Sequence, residues 1–255
     1  MMIEYAVRDG AGWVTIDNPA RRNALSVALM GDLESAVRQL DDDDAARSIV
    51  LTGAGNTFCA GADISEFAGH HDSEDGRRAF NEALSGLFAT LSGLRTPLIA
   101  VIRGHCLGAG MALALSADLR IAAEGSTFGI PAARLGVGYP VALAETLVHV
   151  VGPAHAADLL LTARTFTAAE ALAAGFVNRL VPTEELNADA LRTVKAIAAN
   201  APLSVRAAKA SIRATAHPEL AARAREMVAA CADSADEREG QRAFMERRPP
   251  VFHGR

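Results

Sequence analysis

The sequence predicts an α/β fold built on parallel strands, with a helical C-terminal region. Three observations lead there. Short apolar runs at 47–52, 97–102 and 119–122 read as buried strands, because a strand covered on both faces is apolar throughout. Turn-and-helix sequence separates these runs, and a strand–turn–helix–strand order argues for parallel pairing with right-handed crossovers. From about Leu186 onward, alanine-rich helical sequence runs almost to the end. The expected organisation is an α/β core over 1–185 and a helical region over 186–255.

Each element has a local reason. Ile3–Val7 and Gly12–Ile16 flank Asp9-Gly10, a pair that tolerates positive φ and so predicts a hairpin. Asn18-Pro19 ends the second strand. Ser26 caps a helix whose apolar face carries Leu29, Leu33, Val37 and Leu40. The acidic run Asp41–Asp44 reads as a solvated linker. Gly53-Ala54-Gly55-Asn56 breaks the chain after the first buried strand. A polar stretch with His70, His71, Asp72 and Glu74 follows, then a helix over 77–94. Gly104–Gly110 turns into a helix through Ala117. Thr167-Ala168-Ala169-Glu170 is a capping box, Gly175 suits the end of that helix, and 176–181 is a short strand closed by Pro182.

Composition narrows the function. With 50% hydrophobic and 22% charged residues, the chain can build a large core, which excludes a disordered protein. Net charge is −5, so a general nucleic-acid footprint is absent, and 5% aromatic residues disfavour a base-stacking platform. Three cysteines (Cys59, Cys106 and Cys231) are sparse and odd in number, which points to free thiols in a reducing compartment and to no zinc site. No basic segment followed by an apolar run opens the chain, and Arg103 and His105 interrupt its most apolar stretch. A cytoplasmic protein with no metal and no membrane partner is expected.

Two turns carry the chemistry. Phe58-Cys59-Ala60-Gly61-Ala62-Asp63 follows the strand ending at Thr52, and Gly104-His105-Cys106-Leu107-Gly108-Ala109-Gly110 follows the strand ending near Ile102. Both leave the carboxyl ends of strands predicted to be parallel neighbours, where open α/β sheets bind ligands. Small residues let a ligand approach the backbone, and two convergent N–H groups would make an oxyanion hole. Taken alone, ordinary tight turns explain these glycines equally well. There is no Walker lysine loop and no Gly-x-Ser-x-Gly elbow.

At these residues the sequence resembles the crotonase (enoyl-CoA hydratase/isomerase) superfamily. The likeness spans essentially the whole chain. It begins with Asn18-Pro19-Ala20-Arg21-Arg22-Asn23-Ala24-Leu25 and continues through 49–55, the two turns and Asp118. Phe128-Gly129-Ile130-Pro131, Leu135-Gly136-Val137 and the terminal Phe244–Pro249 run complete it. The resemblance implies a ββα spiral core over 1–185, a helical assembly region over 186–255, and a homotrimer or dimer of trimers. It implies an acyl-CoA substrate, with coenzyme A as part of that substrate and no separate cofactor. Carried over by motif, the oxyanion donors are the N–H groups of Ala62 and Ala109. Ala60, Gly61, Ile64, Gly108 and Pro131 are placed around the acyl group, and Arg22 and Arg247 are candidates for the CoA phosphates.

One departure matters. The two glutamates that hydratases of this superfamily use correspond to Ala112 and Ala132 here, and neither alanine can move a proton. General acid–base groups contribute about 10²–10⁴-fold, so ordinary hydration is expected to be weak. Tyr139 stands where relatives place a third catalytic group, and Leu135-Gly136-Val137-Gly138-Tyr139 is similar to a motif of the methylmalonyl-CoA decarboxylase branch. Ala62 and Pro131 depart from that branch, which has histidine and threonine there. Arg134 is a candidate for a substrate carboxylate; Glu145, His70 and His71 are weaker candidates, and Asp63, His105, Cys106 and Asp118 read as structural. Three functions stay open: an enolate-stabilising acyl-CoA enzyme, a decarboxylase or C–C hydrolase of a carboxylated acyl-CoA using Tyr139, and a non-catalytic acyl-CoA-binding or structural subunit.

Overall fold

The computed structural model describes residues 1–63 and 74–255. The chain begins with β1 (Met2–Arg8), β2 (Ala11–Asp17), α1 (Val27–Asp42), β3 (Ile49–Gly53), α2 (Glu74–Gly93) and β4 (Leu98–Ile102). Next come β5 (His105–Leu107), α3 (Ala109–Leu115), β6 (Leu119–Ala123) and β7 (Thr127–Gly129). They are followed by α4 (Val141–Thr162), β8 (Thr165–Thr167), α5 (Ala168–Ala173) and β9 (Arg179–Val181). The last helices are α6 (Leu186–Ala198), α7 (Pro202–Ala216), α8 (Ala221–Ala229) and α9 (Ala235–Glu246).

The expected hairpin forms: β1 pairs antiparallel with β2, and Asp9 (φ 53°) and Gly10 (φ 77°) make its two-residue turn. Among the described residues the main sheet has the order β1-β2-β3-β4-β6-β9, parallel from β2 onward. Alternation along each strand divides its side chains between two cores. Ile49, Leu51, Leu98, Ala100 and Ile102 join a cluster with the apolar faces of α1, α2 and α3. Val50, Ile99, Val101 and Ile121 join another with Leu186, Ala190 and Val194 of α6. Both faces are covered, which is why these strands are apolar throughout. Each buried large aliphatic side chain contributes about 1.5–3 kcal/mol relative to exposure.

The caps follow the expected chemistry. Leu29 N–H donates to Ser26 Oγ (3.1 Å) at the start of α1. Thr167 and Glu170 form the reciprocal capping box of α5, and Gly175 (φ 78°) follows its end. The acidic run 41–44, expected as a solvated linker, is one at the exposed Asp43 and Asp44, but not at Asp41 and Asp42. Helix α1 runs through Asp42, and Asp41 Oδ1 accepts the N–H groups of Arg95 (3.0 Å) and Thr96 (2.7 Å). The Arg95 guanidinium pairs with Asp41 and Asp42, so this run ties the end of α1 to the approach to β4.

A smaller sheet, β5-β7-β8, was not foreseen; its strands of three residues are too short to show a period. Helix α4 is broken at Gly152 (φ 74°, ψ 163°), just before Pro153. Beyond α6, the buried Lys209 anchors α7: its Nζ donates to Thr96 O (2.9 Å) and Asp118 Oδ2 (2.7 Å). Burial pulls the Lys209 pKa down, and the adjacent Asp118 carboxylate opposes that. Asp118 also accepts Leu98 N–H (2.7 Å), the structural use expected of it. No helix among the described residues is long and apolar enough to cross a membrane.

Candidate active site

The two glycine turns meet through their cysteines. Cys59 and Cys106 form an isolated parallel bridge, in which Cys59 N–H donates to His105 O (3.0 Å) and Leu107 N–H donates to Cys59 O (3.0 Å). Ala62 and Ala109 each follow three residues later. Beyond the bridge the turns abut. A Cβ on Gly61 would stand 3.3 Å from Leu107 O and 3.8 Å from Ala109 N, and one on Gly108 would stand 3.7 Å from Gly61 Cα. A Cβ on Gly110 would lie 2.3 Å from Cys59 O, so this position of α3 must be glycine for the helix to approach so closely.

The first turn is laced to the segment before α1. Ala60 N–H donates to Arg22 O (3.1 Å), and Asn23 Nδ2 donates to Ala54 O (2.9 Å) and Thr57 O (2.6 Å). Ala62 pairs with Leu25 in a parallel bridge where Leu25 makes both bonds. Leu25 N–H donates to Gly61 O (2.8 Å), and Asp63 N–H donates to Leu25 O (2.9 Å). Ala62 N–H therefore stays out of the bridge, with no acceptor among the described residues. The second turn pairs through Gly108 N–H to Gly129 O (2.8 Å) and then opens α3. Ala109 is the first residue of that helix, ahead of its first internal bond from Ala112 N–H to Gly108 O (3.3 Å). Its N–H also has no acceptor among the described residues. Two unused N–H groups thus stand on abutting turns.

Around them, Ala62, Ala109, Ala132 and Tyr139 all pack half-buried against the same core cluster. Pro131 Cδ lies 3.9 Å from where a Cβ on Gly108 would stand. Ala112 is 1% exposed inside α3, while Ala132 sits on the short 3-10 turn Pro131–Leu135. Both positions present only a methyl group. The Tyr139 hydroxyl is buried with no hydrogen-bond partner among the described residues, and burial pushes its pKa up. Burial also raises the Cys59 thiol to about 12 and the Cys106 thiol well above its ordinary value, so neither is poised as a nucleophile. His105 Nδ1 bonds Thr127 Oγ1 (2.9 Å). Arg22, Arg134 and Arg247 are exposed and have no ion-pair partner among the described residues. Glu145 is exposed on α4. Ile64, His70 and His71 lie outside the described residues. Among the described residues no group of three His, Cys, Asp or Glu side chains is placed to hold a metal ion.

Sequence reasoning missed two supporting residues. Asn23 sits at φ 59° and clamps the turn after β3; an asparagine ahead of a helix cap was the available signal. Arg120 is 6% exposed within β6, and an arginine in an apolar strand run was the signal there.

Comparison with known proteins decides the family. The family model described as enoyl-CoA hydratase/isomerase matches residues 7–255. The chain belongs to the enoyl-CoA hydratase/isomerase family. A probable enoyl-CoA hydratase of Mycobacterium bovis is 35% identical over 94% of this chain and 93% of its own length. The 2,3-dehydroadipyl-CoA hydratase of Escherichia coli is 33% identical over 95% and 94%. A solved structure of a putative enoyl-CoA hydratase/isomerase family protein from Hyphomonas neptunium superposes with a TM-score of 0.93 at 34% identity, covering 100% of this chain and 98% of that one. An enoyl-CoA hydratase structure from Bacillus anthracis gives a TM-score of 0.91 at 31% identity, covering 100% of both chains. The crotonase-type α/β fold expected from the motifs is therefore the fold of this enoyl-CoA hydratase/isomerase family member.

Proposed function

We propose that this protein is an acyl-CoA enzyme in which the N–H groups of Ala62 and Ala109 bind the thioester oxygen and stabilise an enolate. The observation that carries this reading is the pair of unused N–H groups on abutting turns. Donors held this way need no reorganisation as charge develops on the oxygen, which makes such holes effective. Gly61, Gly108 and Pro131 flank the two donors with small or rigid groups, the kind that let a ligand approach the backbone closely. The exposed cations Arg22 and Arg247, without an ion-pair partner among the described residues, suit the phosphates of coenzyme A. With methyl groups at 112 and 132, hydration of crotonyl-CoA is expected about 10²–10⁴-fold below that of an enzyme with both glutamates.

One observation favours a second reading, decarboxylation of a carboxylated acyl-CoA. The buried Tyr139 hydroxyl lacks a partner among the described residues, and such a group costs about 1–3 kcal/mol unless a ligand supplies the hydrogen bond. In that reaction the bond to the departing carboxylate breaks and its electron pair passes to the thioester oxygen. Loss of carbon dioxide itself forms the enolate, so no glutamate base is required, and the α-carbon is protonated afterwards. Tyr139 would orient the carboxylate or relay that proton, and Arg134 would meet its charge.

The test is turnover of crotonyl-CoA, a malonyl-type thioester and a ring-derived thioester, followed by mass spectrometry. Release of carbon dioxide from the malonyl-type substrate selects the second reading. Crotonyl-CoA hydration at ordinary hydratase rates overturns the argument from Ala112 and Ala132. Binding of all three without turnover makes the chain a non-catalytic acyl-CoA subunit. The exposed Leu135, Val137, Phe244 and Met245 belong with the further proposal of a homotrimer or dimer of trimers, which the mass in solution tests.

A further inference from the structure

The geometry points to Arg120 as the positioning residue that aims the Ala109 N–H, by holding the far end of α3. This rests on the oxyanion reading above.

Helix α3 has seven residues, so it is a short rod of roughly 10 Å. Its backbone N–H vectors run along its axis, and the direction of the axis is therefore the direction of the Ala109 donor. The N-terminal end is held by Gly108 N–H on Gly129 O and by the close approach of Gly110 to Cys59. Met111 and Leu113 pack its middle into the core, and the tilt that remains is set at its two ends. The other end is held by Arg120, whose Nη1 donates to Ala117 O (2.6 Å) and Ala114 O (3.3 Å). Ala114 lies in the last turn of α3 and also accepts Ala117 N–H (3.2 Å), and Ala117 stands two residues past the helix, so Arg120 grips the exit of the helix.

Arg120 is itself fixed. Its Nε donates to Phe176 O, its guanidinium carbon lies 5.6 Å from the centre of the Phe176 ring, and its backbone is part of β6. Asn178 locks that backbone, accepting Arg120 N–H on Oδ1 (2.8 Å) and donating its own N–H to Arg120 O (2.9 Å). The side chain is 6% exposed, and its hydrogen bonds among the described residues all go to carbonyl oxygens rather than carboxylates. Burying a charge that way is costly and needs each hydrogen bond. A lateral shift of 2 Å at Ala117 would tilt a rod of this length by roughly 11°, within the ~10–20° range over which a preorganised donor loses its aim.

The test separates aim from folding. Dissociation constants are measured for butyryl-CoA and for S-butyl-CoA, a thioether that lacks the carbonyl oxygen, together with the carbonyl stretching frequency of bound butyryl-CoA. The wild-type protein is expected to prefer the thioester and to lower its carbonyl frequency. Arg120→Met is expected to reduce that preference about tenfold, with the thioether bound as before. Arg120→Lys restores part of it, and Asn178→Ala gives a smaller drop in the same direction. An unchanged preference and frequency in folded Arg120→Met overturns the assignment. If Arg120→Met is insoluble, the same result in Asn178→Ala overturns it. A wild-type protein with no thioester preference removes the oxyanion reading, and the role of Arg120 with it.

Discussion

The turns carrying Ala62 and Ala109 leave an N–H unused for different reasons. At Ala62 the cause is strand register: in a single parallel bridge one residue makes both bonds, and that residue is Leu25. At Ala109 the cause is helix geometry, because a first-turn N–H has nothing behind it to bond. The first donor depends on the lacing of residues 22–25 to the loop after β3. The second depends on a short helix held at both ends. A pair of donors built from unlike elements can be perturbed one at a time.

Five measurements probe this contrast and its surroundings. Ala109→Pro removes the helix donor at a position where proline is tolerated, so folding should survive. Activity, or the preference for thioester over thioether, should fall about 10²–10³-fold. Turnover that is unaffected in a folded variant would sink the oxyanion assignment. Gly110→Ala presses a methyl group onto Cys59 O, 2.3 Å away, and should cost about 1–3 kcal/mol in urea denaturation while disturbing the junction of both turns. Tyr139→Phe removes a buried hydroxyl that has no partner among the described residues, so stability should rise by about 1 kcal/mol. If Tyr139 works on substrate, turnover falls in the same variant; a stabilised protein with every activity intact makes the residue plain packing.

The smallest effect concerns the cysteine bridge. Iodoacetamide at pH 8 should label the half-buried Cys231 and spare Cys59 and Cys106, as read by mass spectrometry. The pH dependence has a definite sign. Burial raises the folded Cys59 thiol from 9.0 to about 12, so the unfolded chain loses this proton first. Its contribution to stability is full below about pH 9 and is lost as pH rises toward about 12. Stability that grows over that interval would contradict the buried, neutral pair.

Local chemistry made much of this molecule legible before any coordinates. Asp9-Gly10, Ser26 and the Thr167–Glu170 box announce a hairpin and two helix starts, because each acts on its own neighbours within a few residues. The long apolar runs announce buried strands because both faces of the sheet are covered. The motifs also named Gly61, Ala62, Gly108 and Ala109, and they showed that 112 and 132 lack carboxylates. The three-residue strands of the second sheet stayed hidden, since a period needs more length than they have. The Asp41–Arg95 tie joins residues 54 positions apart, which charge patterning along the chain does not reveal. Only folding made the N–H groups of Ala62 and Ala109 into a pair. Their freedom depends on which partner takes each hydrogen bond, and their proximity depends on the Cys59–Cys106 bridge. Both are properties of strand register and helix placement, which long-range packing sets.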